Sequence, residues 1–285
     1  MAGFSFTSFG LRIGVRSNDE AALERIIENL PPGWKPSTVP SVERLYSILI
    51  GKGANRPGVR RFNLLYEDHI RVARTLDPDE LFESFESTLR LYVAEFAKRR
   101  LFIHAGVVGW RGRAILIPGR SFSGKTTLVS ELLRAGATYY SDEYAVLDER
   151  GRVHPFPKKL SMRESGDHRQ NDTPVEAFGG RAGSKPLPVG LVIASQYKEG
   201  ARWRPVELTP GQGALTLLAN TVAARREPEK AIAILQQVVS NARVLKGARG
   251  EAKEMARSVL GQLDEINSVL FFENDGKLPV ELRSS

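Results

Sequence analysis

A glycine-rich segment at residues 119–126, with the sequence GRSFSGKT, constrains the fold of this chain more than any other feature. It matches the pattern G-x-x-x-x-G-K-[ST], in which backbone amides converge on phosphate oxygens at the start of a helix. An apolar stretch at 114–117 precedes the segment, and a stretch with helical periodicity at 126–134 follows it. A strand, a phosphate-binding loop and a helix in this order predict an α/β domain.

Each position of the loop has an expected role. The backbone surrounds the phosphates, Lys125 reaches the terminal phosphates, and the hydroxyl of Thr126 binds Mg²⁺. The alternative is a glycine-rich turn that only joins a strand to a helix. Arg163, farther along the chain, is a basic residue that could also bind phosphate. The predicted nucleotide-binding residues are therefore Gly119, Arg120, Ser121, Phe122, Ser123, Gly124, Lys125, Thr126, Thr127 and Arg163.

Two consecutive acids, Asp142 and Glu143, lie in a segment, 139–147, that predicts a strand. A nucleotide site needs a carboxylate for Mg²⁺ or for proton transfer, usually at the end of a neighbouring strand. We expect Asp142 to accept the proton of an attacking hydroxyl, and Thr126, Asp142 and Glu143 to be the metal ligands. Neighbouring strand residues face opposite sides, so both acids can take part only if the strand ends there. The alternative is a pair of surface acids.

His104 completes the predicted catalytic set, beside Lys125 and Asp142. It lies in the apolar stretch LFIHAGVV, just before the loop. A histidine in an apolar strand is more often a hydrogen-bonded core residue than a catalytic group, and that alternative stays open.

The composition is that of a globular protein of 285 residues, with 41% hydrophobic and 26% charged residues. No apolar run approaches the roughly 18 residues of a membrane span, the N-terminal sequence lacks secretory-signal features, and there are no cysteines. We therefore expect a cytoplasmic protein without a membrane partner. The net charge of +8 favours an anionic partner, but the arginines are scattered, which favours an ordinary solvated surface over a nucleic-acid track.

Two domains are predicted, with a boundary near Arg99 and Arg100. Residues 1–99 mix strand-like runs with helices and predict a small α+β domain, whose last helix has an apolar stripe expected to face the next domain. Residues 100–285 contain the glycine-rich loop, with later helices predicted at 209–225, 228–246 and 251–266. The segment 165–188 is rich in glycine and proline and predicts a mobile loop, either a lid or a disordered segment.

The segment IHAGVVGWRGRAILIPGRSFSGKTTLVSELLRAGATYYSDEYAVL resembles the core of the HPr kinase/phosphorylase superfamily, and in particular its HPr-kinase-related P-loop serine kinases. That family joins a histidine-containing strand, a second strand, a loop of the form G-x-S-G-x-G-K-[ST], a helix ending in glycine, and a strand with two acids. His104, the loop, Gly136 and the acid pair occupy these positions. The resemblance is specific over residues 101–156. Phe122 stands where a glycine is common, and Glu143 replaces an aspartate.

The resemblance implies a fold and a function. Residues 100–285 would form a P-loop kinase domain of the HPr kinase C-terminal type, a mixed sheet with flanking helices, with 1–99 as an accessory or substrate-recognition domain. The activity would be ATP- and Mg²⁺-dependent transfer of the γ-phosphate to a hydroxyl, on a serine or threonine of a protein or peptide, with GTP as the alternative nucleotide. Relatives form rings or dimers, so a homo-oligomer is also expected.

Two alternatives stay open beside the kinase. HPr itself is not the expected acceptor, because no copy of the arginine- and glycine-rich segment of the true HPr enzymes is found in the sequence. A nucleotide-sensing module that binds without phosphotransfer is the main alternative function. A nucleic-acid-processing ATPase ranks last, because the sequence contains no recognisable helicase-like second motif set.

Overall fold

The computed structural model describes residues 1–52, 60–119, 123–158, 160–163 and 170–275, with the backbone alone for 161–163, 170–172 and 269–275. The chain divides into two compact units, Met1–Arg100 and Leu101–Ser285. Both units combine β-sheet with α-helices, so the chain belongs to the mixed α/β class. The division falls where the sequence places the domain boundary.

The first unit is a six-stranded sheet with two helices, and the order of its strands is β3-β1-β2-β4-β5-β6. The sequence predicts one strand at 9–15. The structure instead has two strands joined by a turn at Phe9 and Gly10, both with positive φ. The elements are β1 (Ala2–Ser8), β2 (Leu11–Ser17), α1 (Glu20–Glu28), β3 (Lys35–Ser37), β4 (Arg44–Leu49), β5 (Asn63–Glu67), β6 (Ile70–Thr75) and α2 (Pro78–Phe96).

Helix α2 begins as the sequence predicts. The carboxylate of Asp77 accepts a hydrogen bond from the amide of Asp79, and Pro78 takes the first helical position, where no amide partner is lost. The apolar stripe packs on the sheet of its own unit, where the ring of Phe85 contacts that of Tyr46 at 5.3 Å between centroids. This contact lies within the first unit, and the expectation that the stripe faces the next domain stays a prediction.

The second unit is an eight-stranded sheet, with the strand order β11-β10-β7-β8-β14-β16-β15 and with β9 also paired to β7. Strands β8, β14 and β16 are parallel, so their carboxyl ends share one edge. The elements are β7 (Leu101–Trp110), β8 (Arg113–Pro118), α3 (Lys125–Arg134), β9 (Thr138–Ser141), β10 (Tyr144–Leu147), β11 (Arg152–His154), β12 (Leu160–Arg163), β13 (Gln170–Thr173), β14 (Leu187–Tyr197), β15 (Val206–Glu207), α4 (Pro210–Leu218), α5 (Pro228–Val239), β16 (Arg243–Arg249) and α6 (Ala252–Asp275).

Helices cover both faces of this sheet. Along β8, Ile115 and Ile117 belong to one apolar cluster, with residues of α3 and α6. Ala114 and Leu116, which point the other way, belong to a second cluster with residues of α4 and α5. The sheet is therefore the middle layer of three.

Two predicted helices end earlier than expected. The helix expected over 209–225 is α4, followed by a short 3₁₀ helix at Val222–Arg225. The helix expected over 228–246 is α5, which stops at Val239, and β16 takes up the rest. Val244 and Leu245 are buried on opposite faces of the sheet, because β16 pairs with β14 over its length.

The glycine- and proline-rich segment contains more regular structure than the sequence predicts. Residues 164–169 lie outside the described part of the chain. The rest of the segment contains β13 and a 3₁₀ helix at Val175–Phe178. Val175 and Phe178 are buried in the same apolar cluster as α3. The described part of this segment is therefore anchored to the second unit.

Candidate functional site

The glycine-rich loop connects the end of β8 to the start of α3, in the order that its motif requires. The amide of Gly119 donates to the carbonyl of His104 at 3.1 Å, which ties the start of the loop to β7. Gly124 precedes α3 with a φ of 78°, and no side chain caps the helix. Arg120, Ser121 and Phe122 lie outside the described residues.

The acid pair lies in a turn, not within a strand. The predicted strand at 139–147 is divided, because β9 ends at Ser141 and β10 begins at Tyr144. The hydroxyl of Ser141 accepts from the amides of Glu143 and Tyr144 at 3.2 and 3.0 Å. Since the strand ends here, the strict alternation of faces does not apply to Asp142 and Glu143.

Asp142 is buried beside the loop, with 7% of its surface exposed. One carboxylate oxygen accepts from the hydroxyl of Thr126 at 3.4 Å, and the other accepts from the hydroxyl of Tyr139 at 3.0 Å. Burial raises the pKa of Asp142, while Lys158 and the Tyr139 bond oppose this and Glu143 adds to it. A buried carboxylate with a raised pKa is a group that gains from a nearby cation.

Lys125 lies within electrostatic reach of both acids, and His104 lies within reach of Glu143 and Lys125. Burial lowers the pKa of Lys125, and the charges of Asp142 and Glu143 act in the opposite direction. Burial also lowers the pKa of His104, as does Lys125, whereas Glu143 opposes the shift. The ring of His104 packs on that of Tyr144 at 4.9 Å between centroids. The three predicted catalytic residues, Asp142, Lys125 and His104, are therefore brought together.

Glu143 is more accessible than Asp142. Its carboxylate lies 3.5 Å from the ammonium of Lys158, and both side chains are partly exposed. Thr127 is exposed in the first turn of α3. Arg163 is the last residue of β12, and its side chain lies outside the described residues.

Arg249, at the end of β16, is a residue of this site that sequence reasoning missed. One of its terminal nitrogens donates to the carbonyls of Ser123 and Gly124 at 3.3 and 3.0 Å. The sequence does contain a signal, the apolar pair Val244 and Leu245 followed after Lys246 by GARG, but the predicted helix at 228–246 includes that pair. A narrow crevice at the loop is lined by Ile117, Pro118, Ser123, Gly124, Lys125, Ser195 and Arg249.

The predicted metal ligands comprise one hydroxyl and two carboxylates. Among the described residues, no group of three or more histidine, cysteine, aspartate or glutamate side chains is placed to hold a metal ion. Mg²⁺ characteristically uses one or two carboxylates and completes its shell with water and substrate phosphates. Thr126, Asp142 and Glu143 suit a site of that kind, and they do not form a cage made by protein alone.

No protein-family model and no curated protein matches this chain. The resemblance to the HPr kinase/phosphorylase superfamily therefore rests on the motif residues themselves. Across the described residues, no helix is long and apolar enough to cross a membrane.

Proposed function

We propose that this chain is an ATP- and Mg²⁺-dependent kinase of the HPr-kinase-related type, which phosphorylates a hydroxyl on a serine or threonine of a protein or peptide. The observation that carries the proposal is the contact between Thr126, at the start of α3, and the buried Asp142. Lys125 and Glu143 lie within electrostatic reach of each other beside that contact. GTP is the alternative nucleotide.

The residues at the loop suit a polyphosphate. The first amides of α3 have no side-chain cap, and the start of a helix of this length attracts negative charge. The buried hydroxyl of Ser123 has no hydrogen-bond partner within the described part of the chain, so a ligand oxygen would satisfy it. Lys125 adds a positive charge in a partly buried position, where it acts more strongly than in water.

The two acids suit different roles. The contact of Asp142 with Thr126 favours Asp142 as the group that holds Mg²⁺ together with that hydroxyl. The more exposed Glu143, held by Lys158, is then the better candidate to accept the proton of the incoming hydroxyl. This reverses the role that the sequence assigns to Asp142 as the proton acceptor. The bound nucleotide supplies the phosphoryl group, and its metal neutralises charge on the phosphate oxygens.

Binding and transfer assays separate these roles. Wild-type protein, Asp142→Asn and Glu143→Gln are titrated with ATP at several Mg²⁺ concentrations, and transfer of labelled γ-phosphate is followed in native cell extract. Asp142→Asn should need more Mg²⁺ to bind ATP. Glu143→Gln should keep its affinity for ATP but lose about 10²- to 10⁴-fold in transfer, the usual contribution of a general base. Glu149→Gln, in the exposed turn after β10, is the matched control and should behave as wild type.

Three results would overturn parts of the proposal. If neither ATP nor GTP binds at millimolar concentrations with Mg²⁺, the kinase is refuted. If ATP binds but no labelled product forms from a broad set of acceptors, the nucleotide-sensing module is the better interpretation. If Asp142→Asn loses transfer at unchanged Mg²⁺ dependence while Glu143→Gln stays active, Asp142 is the proton acceptor.

A further inference from the structure

Arg249 reaches the glycine-rich loop because of the order of the parallel strands. Strand β14 lies between β8 and β16, and all three run in the same direction. Arg249, the last residue of β16, therefore lies at the same sheet edge as the loop that follows β8. Its exposed surface is only 3%, so the cation is enclosed beneath the loop.

The hydrogen-bond partners of this buried guanidinium are carbonyl oxygens, and the ring centroid of Tyr197 lies 5.4 Å from its central carbon. One terminal nitrogen donates to Ser123 and Gly124, and the other donates to Gly250 at 3.3 Å. The Nε atom is buried and has no partner among the described residues. Within the same part of the chain Arg249 forms no ion pair, and Glu251 acts on it only as a nearby charge. Buried arginines are normally paired with carboxylates, so this positive charge is incompletely compensated.

The two loop carbonyls determine where the neighbouring amides point. The carbonyl of Ser123 shares a peptide plane with the amide of Gly124, and the carbonyl of Gly124 shares one with the amide of Lys125. In a trans peptide the C=O and N–H bonds point in opposite directions. Arg249 binds both carbonyls, and the carbonyl of Gly124 also accepts from the amide of Leu128 at 3.2 Å, the first hydrogen bond of α3. Both amides therefore face away from Arg249, and for Ser123 the described carbonyl contact is the one from Arg249.

Gly124 is the residue that lets Arg249 approach so closely. An added Cβ at this position would lie 2.2 Å from the terminal nitrogen of Arg249, so the guanidinium would have to withdraw from the loop. The positive φ of Gly124 adds a second reason for glycine here. The motif glycine and the buried arginine therefore fit each other.

We propose that Arg249 is a positioning residue for polyphosphate binding. It holds the amides of Gly124 and Lys125 toward the anion and places a buried positive charge beneath the loop. The ligand class is the polyphosphate part of a nucleotide, so the inference rests on the proposed function. In this proposal Arg249 acts through the loop backbone and does not contact a reacting atom.

The test compares Arg249→Met, Arg249→Lys and Arg249→Ala with the wild type in ATP titrations in the presence of Mg²⁺. Arg249→Met should weaken ATP binding about 10- to 100-fold, the range expected when hydrogen bonds from a charged group are lost. Arg249→Lys should recover part of the loss, because lysine restores the charge but not the fork that reaches two carbonyls. Arg243→Met, at the exposed start of the same strand, is the matched control and should bind as wild type.

Two further measurements test the positioning role directly. Millimolar guanidinium chloride, compared with sodium chloride at equal ionic strength, should partly restore ATP affinity in Arg249→Ala but not in Arg249→Met, whose side chain fills the site. In the absence of nucleotide, hydrogen exchange at the amides of Gly124 and Lys125 should be faster in Arg249→Met than in the wild type. A residue that only adds stability would lower the melting temperature without either effect.

The outcomes separate the two proposals. If the wild type binds neither ATP nor GTP, the proposed function fails, and hydrogen exchange alone decides whether Arg249 orders the loop. If the wild type binds ATP and folded Arg249→Met binds within twofold of it, the inference is wrong. If Arg249→Met does not fold, Arg249→Lys decides: weaker binding with an intact melting curve supports the inference, and wild-type binding overturns it.

Discussion

Gly106 is the position where a single methyl group should have the clearest effect on this fold. It lies in β7 beneath α3, and an added Cβ would lie 2.7 Å from Cγ2 of Val129. Val129 is completely buried on α3, so it cannot turn into solvent to make room. The nearest other atoms, the Cβ atoms of Ile117 and Lys125, are both 3.8 Å away and would be in ordinary contact. The clash therefore comes from one side chain.

The expected cost of Gly106→Ala follows from this geometry. Overpacking a closed core costs about 1–3 kcal/mol. For a unit of this length, each kcal/mol lowers the melting temperature by about 2–4 °C, so we expect a decrease of roughly 2–12 °C. Val129→Ala alone should cost about 2–3 kcal/mol, from two carbons at about 0.8 kcal/mol each and the cavity they leave. In the double variant the new methyl group occupies part of that cavity, so Gly106→Ala should add no further cost.

Thermal and urea denaturation of the four proteins measure this coupling as a double-mutant cycle. The expected interaction energy is about 1–3 kcal/mol in favour of the double variant. Gly261→Ala is the control: it lies within α6 with no atom near its added Cβ, and it should raise stability by about 0.5–1 kcal/mol. If the effects of Gly106→Ala and Val129→Ala simply add, the contact is not the reason for glycine at position 106.

Three further predictions concern buried polar groups. Because burial raises the pKa of Asp142, the ionised carboxylate opposes folding. Asp142→Asn should therefore raise the melting temperature at pH 7 without Mg²⁺. This gain should disappear near pH 3, where the carboxyl is neutral in both the folded and the unfolded state. Burial acts to raise the pKa of Asp148, but hydrogen bonds with His154, Arg152 and Arg150 outweigh it, so the pKa is lowered. Protonating Asp148 in acid therefore destabilises the fold. Asp148→Asn should reduce the loss of unfolding free energy between pH 6 and about pH 3, measured by urea denaturation. Trp110→Phe removes the 2.8 Å bond from the indole to Asp264 and should cost about 1 kcal/mol by circular dichroism melting.

The parts of the site that the sequence predicts are those whose signals are local. The glycine spacing, the lysine and the threonine form one continuous segment, and its apolar strand and helical periodicity lie directly on either side. The acid pair lies in a strand-like run a short distance after the predicted helix. These features depend on neighbouring residues, which a pattern in one sequence can show.

Arg249 and Tyr139 show what a single sequence cannot supply. The stretch that becomes β16 follows a helix and has only a short apolar pair, so pairing with β14, far away in sequence, decides that it is a strand. Arg249 comes near the loop only through that pairing. Tyr139 donates to Asp142 across the end of β9, where the hydroxyl of Ser141 accepts from the amide of Tyr144.

The three parts of the candidate site meet along three consecutive residues of β7. The backbone carbonyl of His104 accepts a hydrogen bond from the amide of Gly119, at the start of the loop. Ala105 donates to the carbonyl of Glu143 at 3.1 Å, which holds the acid turn. Gly106 leaves room for α3, whose first residue is the motif lysine. Since one strand sets the position of the loop, the acids and the helix, a displacement of β7 would move all three parts, whereas a change in the loop alone would move one.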